Sequence, residues 1–241
     1  MGGGVRRWRP GPSTERRTAV RRWATALARR VLVLGLAPAA MFGGAALLVY
    51  ILFHVWLPLG LAAFGAILLI VVVAVFATSG TAQRRALARL AIAGVASGFL
   101  AVILYDATKA VMSALDPSPY NPFEVTRLFG VLLLGASAPA GVSQIAGWSF
   151  HILNGCTFGL AYSLLFARNG TTTRRYAALS GMAWGLFLEA FQVALYPGWL
   201  RIAFYGEFVT ISATAHLVYG ACLGLTCRAL LRRSKPKEVW E

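Results

Sequence analysis

Several segments of this chain run for about twenty residues with almost no charged side chain, and this feature limits the fold more than any other. A helix of about 20 apolar residues crosses the roughly 30 Å hydrocarbon core of a bilayer. Hydrophobic residues fill 58% of the 241 positions, charged residues fill 13%, and the mean hydropathy is +0.67. The runs are too long and continuous for the alternating strands of a membrane barrel. The sequence therefore predicts an all-α fold, a polytopic transmembrane helical bundle.

The pattern predicts six crossings and one short re-entrant or partial helix. The short segment, 125–138, is apolar but follows the proline-rich link 116–124 and ends at Pro139. At about 1.5 Å per residue it reaches only about 21 Å, too little to span comfortably. We expect a turn at Pro58–Gly60 and a loop over 79–89. The expected crossings are 31–56, 61–78, 90–114, 145–167, 176–196 and 207–231.

Three regions follow from this layout. Residues 1–30 contain nine arginines and one acid, which predicts a basic segment that is disordered or lies on the membrane surface. Residues 31–232 form the transmembrane bundle, and 233–241 form a basic cytoplasmic tail. A signal peptide is the competing interpretation of the N-terminus. Because apolar sequence continues to Leu57 without a polar mature start, we expect an uncleaved first helix.

The net charge of +15 does not indicate a nucleic-acid-binding protein. The basic residues lie in tails and loops at membrane edges, and no basic folded domain is available to grip a duplex. In the six-crossing layout, twenty of the 23 lysines and arginines lie on the same side of the membrane, and only Lys109, Arg127 and Arg201 lie elsewhere. Positive residues mark cytoplasmic loops, so both chain ends are predicted to be cytoplasmic.

A short pattern occurs twice in the second half of the chain. Residues 151–168 and 216–233 each begin with histidine, place glycines four and eight residues later, and end in arginine. Each is preceded by a helix with a Gly-x-x-x-Gly stripe, at 94–98 and 181–185. We interpret 89–167 and 176–232 as parallel repeat units that follow a first hairpin at 31–78. The glycines are expected to let helix backbones pack closely.

Polar side chains at membrane depth define the candidate site. His151, Glu189 and His216 fall in the outer half of the predicted bundle, and a buried charge in a bilayer is expensive unless it is paired inside the protein. Asp106 and Lys109 are spaced to form a simple ion pair at the outer edge. Four further residues are candidates for ligand binding or proton relay with the first three: Asn154, Gln192, Glu207 and Ser212.

The chemistry of this cluster is open at the sequence level. A His–Glu pair that only fastens two helices is one interpretation. Two imidazoles and a carboxylate on separate helices, His151, His216 and Glu189, also suit a zinc or iron site, and the two histidines suit haem. The same groups could relay protons. No His-Glu-x-x-His signature is present, and the three cysteines lie in apolar helices without a Cys-x-x-Cys pair, so no cofactor is assigned.

A serine-protease interpretation fails on spacing. Segments 179–186, 215–220 and 151–154 are similar to the serine, histidine and oxyanion segments of rhomboid proteases. Rhomboids place another transmembrane helix between the serine and histidine helices, whereas residues 197–206 leave no room for one. Ser180 also lies near the cytoplasmic end of its helix, far in depth from His216, so a Ser–His hydrogen bond is not expected.

From about Arg89 to Arg233, the order of features resembles the YagU-like group of uncharacterised bacterial inner-membrane proteins. The matching features are His151 with Phe158 and Tyr162, a glycine-striped helix, Pro197, Glu207, and HLVYG at 216–220 before a basic tail. The resemblance implies a multi-pass protein of the bacterial inner membrane. It implies no reaction and no catalytic residues.

The leading functional hypothesis is a membrane protein without assigned catalysis, whose outward-facing His/Glu pocket binds or conducts a small solute, proton or lipid. One alternative is an intramembrane metal- or haem-dependent enzyme acting on lipid or quinone. Another is a structural subunit that packs against a larger membrane complex, or against its own copies, through its glycine stripes. Lipid is the expected environment in each case.

Overall fold

The structure, a computed structural model, describes residues 34–116, 119–167 and 173–233. Within these ranges every regular element is an α-helix and no strand occurs, so the predicted all-α fold is confirmed. The predicted basic segment 1–30 and the tail from residue 234 onward lie outside the described residues. The helices are α1 (Leu34–Ala40), α2 (Phe42–Phe53), α3 (Leu57–Thr78), α4 (Thr81–Leu115), α5 (Glu124–Leu134), α6 (Ala140–Phe166), α7 (Arg174–Leu200) and α8 (Tyr205–Arg233).

Four of the described helices, α3, α4, α7 and α8, are long and apolar enough to cross a membrane, and a fifth span is present if α1 and α2 count as one. The multi-pass architecture is therefore supported, but the six-crossing count is not confirmed. At 27 residues, α6 has the length of a span, yet it carries His151, Asn154 and several hydroxyl residues and does not belong to the apolar set. With 11 residues, α5 reaches about 16 Å, which is shorter than the roughly 30 Å hydrocarbon core.

The predicted first crossing is broken. α1 and α2 meet at Met41 with a bend of 58°. Pro38 lies in the turn before the bend, and Gly43 and Gly44 lie just after it. Proline removes a backbone donor and glycine lowers helix stability, so both weaken the helix at this point. In its described part, the crossing predicted at 31–56 therefore consists of two helices that can still form one bent span.

Two predicted connections differ from the structure. The expected loop over 79–89 is wrong, because α4 begins at Thr81 and its first turns contain Ala, Leu, Gln and Arg, which are good helix formers. The expected turn at Pro58–Gly60 lies earlier, at residues 54–56. Pro58 occupies the first turn of α3, where its missing N–H breaks no hydrogen bond, and His54 adopts the left-handed conformation (φ 56°) that ends α2.

The core of the bundle is a row of antiparallel helices. α4 packs against both α6 and α8, and α7 packs against α8. α5 lies on α6, and α2 forms a hairpin with α3 at the side of the row. α6 and α7 touch only slightly, so the two predicted repeat units are not packed symmetrically around the α4–α8 contact. The interpretation of 89–167 and 176–232 as a repeat stays a prediction.

Glycines bring the backbones of these helix pairs into direct contact. A methyl group added at Gly98 would collide with the carbonyl oxygen of Gly155, and one added at Gly159 would collide with that of Gly94. On the other pair, a methyl group at Gly181 would meet the Gly220 carbonyl oxygen. Such close approach increases dispersion contact between helices, and dispersion is the main attraction available where lipid is as apolar as the side chains.

The outer faces of the helices suit a lipid environment. Large apolar side chains remain exposed along α3, α4 and α7, including Ile70 and Ile92 at 67% and 70%. α3 contributes least to the interior, since only 11% of its apolar window is buried. A soluble monomer rarely exposes so much contiguous apolar surface, so these faces are expected to contact lipid.

We predict that Gly220→Ala lowers the melting temperature of the protein in detergent, because its methyl group would collide with the Gly181 backbone. Overpacking of this kind costs about 1–3 kcal/mol. Gly65→Ala is the control: apart from the nearby backbone of its own helix, no atom lies within 4 Å of where the added methyl group would be, so alanine should be neutral or slightly stabilising. Equal thermal shifts for the two variants would contradict the close α7–α8 packing.

Candidate functional site

A cavity of about 320 Å³ lies between the bent α1–α2 segment, helices α4, α6, α7 and α8, and two apolar residues of α5, Val125 and Phe129. This volume is at the lower end of the range for small-molecule sites, about 300–1,000 Å³. The α1–α2 side is apolar and includes Pro38, Met41, Leu47, Leu48 and Ile51. The polar groups come from the four long helices, and they include Lys109, His151, Asn154, Gln192 and His216.

The Glu189–His216 pair joins α7 to α8 at one wall of this cavity. His216 Nδ1 lies 2.8 Å from Glu189 Oε2 and 3.0 Å from the Ser212 carbonyl oxygen. Because a carbonyl oxygen only accepts hydrogen bonds, Nδ1 must carry the proton. Ser212 Oγ donates to the same Glu189 oxygen at 2.7 Å. Glu189 and His216 are only 4% and 5% exposed, so this is a fully internal acid–base pair.

The other nitrogen of His216 faces the cavity. Gln192, one turn along α7 from Glu189, brings its Nε2 within 3.4 Å of His216 Nε2. In neutral His216 this nitrogen is an acceptor, since Nδ1 holds the proton. The sequence-predicted residues Glu189, Gln192, Ser212 and His216 are thus brought together by one α7–α8 contact. Glu189 Oε1 has no hydrogen-bond partner among the described residues.

His151 lines the same cavity but has a different acidic partner. Its Nε2 lies 3.0 and 3.1 Å from the two carboxylate oxygens of Asp106 on α4. The Tyr105 ring stands between the two acid–histidine pairs, with its centroid 5.8 Å from the ring of His151 and 4.8 Å from that of His216. His151 and Glu189 therefore belong to neighbouring pairs rather than to one three-residue cluster.

Lys109 is the unexpected member of the site. Its side chain is 4% exposed, and it lines the cavity. Its Nζ lies 5.0 Å from the centroids of the Tyr105 and Phe123 rings. Among the described residues it makes no hydrogen bond or ion pair, and the predicted pairing with Asp106 is wrong. Asp106 instead pairs with His151, which comes from another helix.

The remaining predicted residues separate into two groups. Asn154 lines the cavity, and its buried Oδ1 has no hydrogen-bond partner among the described residues although it lies against Gly43. Glu207 lies in the first turn of α8, partly exposed, and is not part of the cavity lining. Glu207 is thus the predicted site residue that lies apart from the cavity and from the other predicted site residues.

The link between α4 and α5 adds a neutral hydroxyl near this end of the bundle. Tyr120 packs edge-on against Phe208, with ring centroids 6.3 Å apart. Burial, together with a smaller effect of the Glu189 carboxylate, raises the pKa of Tyr120 to about 12. The phenol therefore stays protonated at physiological pH and adds no negative charge.

Metal and protease chemistry find little support in this geometry. Within the ranges that the structure describes, no group of three or more His, Cys, Asp or Glu side chains is arranged to hold a metal ion. Both nitrogens of His216 already face protein partners. Ser180 bonds to the Tyr162 hydroxyl at 2.9 Å and to the Tyr176 carbonyl oxygen at 2.7 Å, away from His216.

Sequence reasoning missed three functional candidates, Tyr105, Asp106 and Lys109. The sequence contains an indication of this role, because Asp106 and Lys109 lie within an otherwise apolar helix, and such ionisable residues usually face the interior of a bundle. The i, i+3 spacing suggested a local pair and hid the longer-range partner of Asp106.

Comparisons with known proteins give no further assignment. No family model matches the chain, and neither the curated proteins nor the solved structures include a significant match.

We predict that Glu189→Ala lowers the melting temperature much more than Glu124→Ala does. Glu124 forms an exposed pair with Arg127, and exposed pairs add little stability. Removing one partner of a buried pair commonly costs about 3–5 kcal/mol. Thermal unfolding in one detergent measures both variants, and Glu189→Gln should fall between wild type and Glu189→Ala. Similar shifts for the two alanine variants would contradict the structural role of the Glu189–His216 pair.

Proposed function

We propose that this protein is an integral membrane protein that binds a small amphipathic molecule of the lipid class in the cavity beside α2. The cavity itself carries this proposal: its walls are mostly apolar, and its polar groups converge from four helices on the opposite side. Small-molecule sites combine an apolar lining with a few placed polar groups in this way. The apolar part of the ligand contacts α1–α2, and its polar part faces His151, Gln192 and His216.

The bend at Met41 supports a binding role for this region. Pro38, Met41 and Gly44 line the cavity at the point where α1 and α2 change direction. Irregular backbone at membrane depth is tolerated where it is buried in protein or lines a cavity. Broken helices also form substrate sites in transporters. The bend between α1 and α2 therefore lies where a ligand in the cavity would contact it.

Packing favours binding over conduction. Toward the C-terminal end of α8, the layer after His216 is filled by Tyr219 and Leu223, which are 4% and 0% exposed. Tyr219 donates a hydrogen bond to the Gly155 carbonyl oxygen at 2.9 Å. Close packing of this layer favours a binding site over a relay through the whole bilayer.

The two alternatives also have less support from the geometry. An intramembrane metal or haem enzyme would need ligands that converge, whereas His151 and His216 lie on either side of Tyr105. A scaffold that docks through its glycine stripes would need those stripes to be free. The glycines of α4, α6, α7 and α8 instead contact one another within the chain.

We further infer six crossings: the bent α1–α2 pair, α3, α4, α6, α7 and α8, with both chain ends cytoplasmic. Support comes from charge, because the start of α4, the start of α7 and the end of α8 are all rich in arginine. Gly224 packs against the Ala177 backbone, so the start of α7 and the end of α8 are neighbours. The resemblance to YagU-like proteins, and with it a bacterial inner membrane, remains part of this proposal.

A thiol-labelling experiment tests this topology. With Cys156, Cys222 and Cys227 replaced by alanine, we expect Asn121→Cys to react with a membrane-impermeant reagent added to intact cells or outside-out vesicles. Arg233→Cys should react only after the membrane is opened, because positive residues mark the cytoplasmic side. Labelling of both positions from the same side would contradict the topology.

We predict saturable binding of a radiolabelled single-chain amphipath, palmitate or 1-hexadecanol, to the purified protein in nanodiscs. Leu48→Trp should weaken the binding about tenfold or more, because the indole fills space in the cavity that Leu48 lines. Leu69→Trp is the control, since Leu69 is 62% exposed on α3. The proposal fails if neither probe binds saturably, or if the two tryptophan variants bind alike.

A further inference from the structure

We propose that the ligand carries an anionic head group and that Lys109 recognises it, which makes the site selective for a single-chain amphipathic carboxylate. This inference rests on the proposed function, because it assigns the chemistry of the ligand to the cavity that the proposal names. It begins from an inventory of the charges around that cavity.

Among the described residues, the two acids near the cavity, Asp106 and Glu189, each contact a histidine. Both oxygens of Asp106 face His151 Nε2. Glu189 Oε2 accepts a hydrogen bond from Ser212 and lies 2.8 Å from His216 Nδ1. Lys109 differs from these groups. Neither Asp106 nor Glu189 has an oxygen within 4.0 Å of the Lys109 ammonium nitrogen, because both acids contact histidines instead. Lys109 is thus the buried charge of the cluster for which the described residues provide no hydrogen-bond acceptor.

The surroundings of Lys109 hold the ammonium group in place without occupying its donors. The Tyr105 and Phe123 rings lie at 5.0 Å and stabilise a cation through their π faces. An ammonium group has three N–H donors, and the ring faces are weak substitutes for oxygen acceptors. A lysine in the apolar part of a membrane protein is costly unless it pairs with an anion or contacts water. The cavity that Lys109 lines is where such an anion would lie.

The neighbouring polar groups suit a carboxylate. Gln192 has amide donors in the same cavity, and it lies beside His216. A carboxylate has two oxygens, which can accept from Lys109 and from an amide group at the same time. Phosphate groups are more typically held by arginine forks or by several backbone N–H groups. Among the residues that the structure describes, no arginine lines the cavity.

The cavity volume restricts the rest of the ligand. About 320 Å³ is small for a molecule with two acyl chains but suits one chain or a compact terpenoid acid. The walls that extend from Lys109 toward α2 are apolar, with Leu47, Leu48 and Ile51 among them. A single-chain carboxylate therefore matches both the charge at one end and the apolar surface at the other.

Binding of palmitate and of 1-hexadecanol to the full chain in nanodiscs tests this inference. The two probes share a chain length and differ in head-group charge. We expect the wild type to prefer palmitate, and Lys109→Met to weaken palmitate binding about tenfold or more while leaving hexadecanol binding nearly unchanged. Lys109→Arg should retain most of the preference for palmitate.

Two controls make the outcome interpretable. Arg127→Met removes an exposed cation outside the cavity and should alter neither affinity. Melting temperatures show whether Lys109→Met folds; if it does not, Lys109→Gln and Lys109→Arg provide the comparison. Hexadecyl phosphate is the third probe, and tighter binding of it than of palmitate would overturn the carboxylate assignment.

The failures of the two proposals are distinguishable. If no probe binds saturably, the proposed function itself fails. If palmitate and hexadecanol bind equally well and Lys109→Met alters neither, the cavity binds amphipaths but the role of Lys109 in head-group recognition is refuted.

Discussion

Direct backbone contact between α7 and α8 positions the polar centre of this protein. Gly185 lies against the carbonyl oxygen of His216, and Gly181 lies against that of Gly220. One turn beyond Gly185, the same close approach places the Glu189 carboxylate on the Ser212 hydroxyl and on His216 Nδ1. Larger residues in the stripe would move the helices apart by more than a hydrogen bond can stretch. The glycines matter to the site although none of them is chemically active.

The second pair depends on the same kind of contact. α4 and α6 meet through Gly94, Gly98, Gly155 and Gly159, and the His151–Asp106 contact lies beyond this stripe. Since α4 also packs on α8, Tyr105 reaches both histidines. A buried acid alone would be unfavourable in a membrane, but an acid held against imidazole in a dry, fixed geometry can remain there. The bundle thus holds two such pairs side by side.

Much of the helical architecture could be predicted from the sequence because hydrophobic length is a strong local signal. The proximity of Glu189 and His216 was also within reach, since residues spaced by four lie on one face of a helix and the two glycine stripes face each other. Structural details that depend on packing against neighbouring helices could not be predicted from the sequence. The arginines at the start of α4 indicate a membrane edge and therefore a loop, but arginine also favours helix, and the structure is helical there.

The partner of Asp106 could not be read from spacing, because a nearby lysine on the same helix and a histidine 45 residues away are both reasonable partners. Only the rotation of α4 relative to α6 decides between them. The bend at Met41 is similar: Pro38 and the two glycines make a break easy, but they do not determine its angle. That angle depends on what α2 packs against, and it shapes the cavity.

The division of the cavity between two kinds of wall has a consequence for selectivity. The α1–α2 side contributes apolar surface, whereas α4, α6, α7 and α8 contribute the hydrogen-bonding groups. A small change in the tilt of α2 would alter the length and width of the space while leaving the Glu189–His216 and Asp106–His151 contacts unchanged. For the proposed ligand, chain length and head-group chemistry would therefore be set by different parts of the protein, and one could change without altering the other.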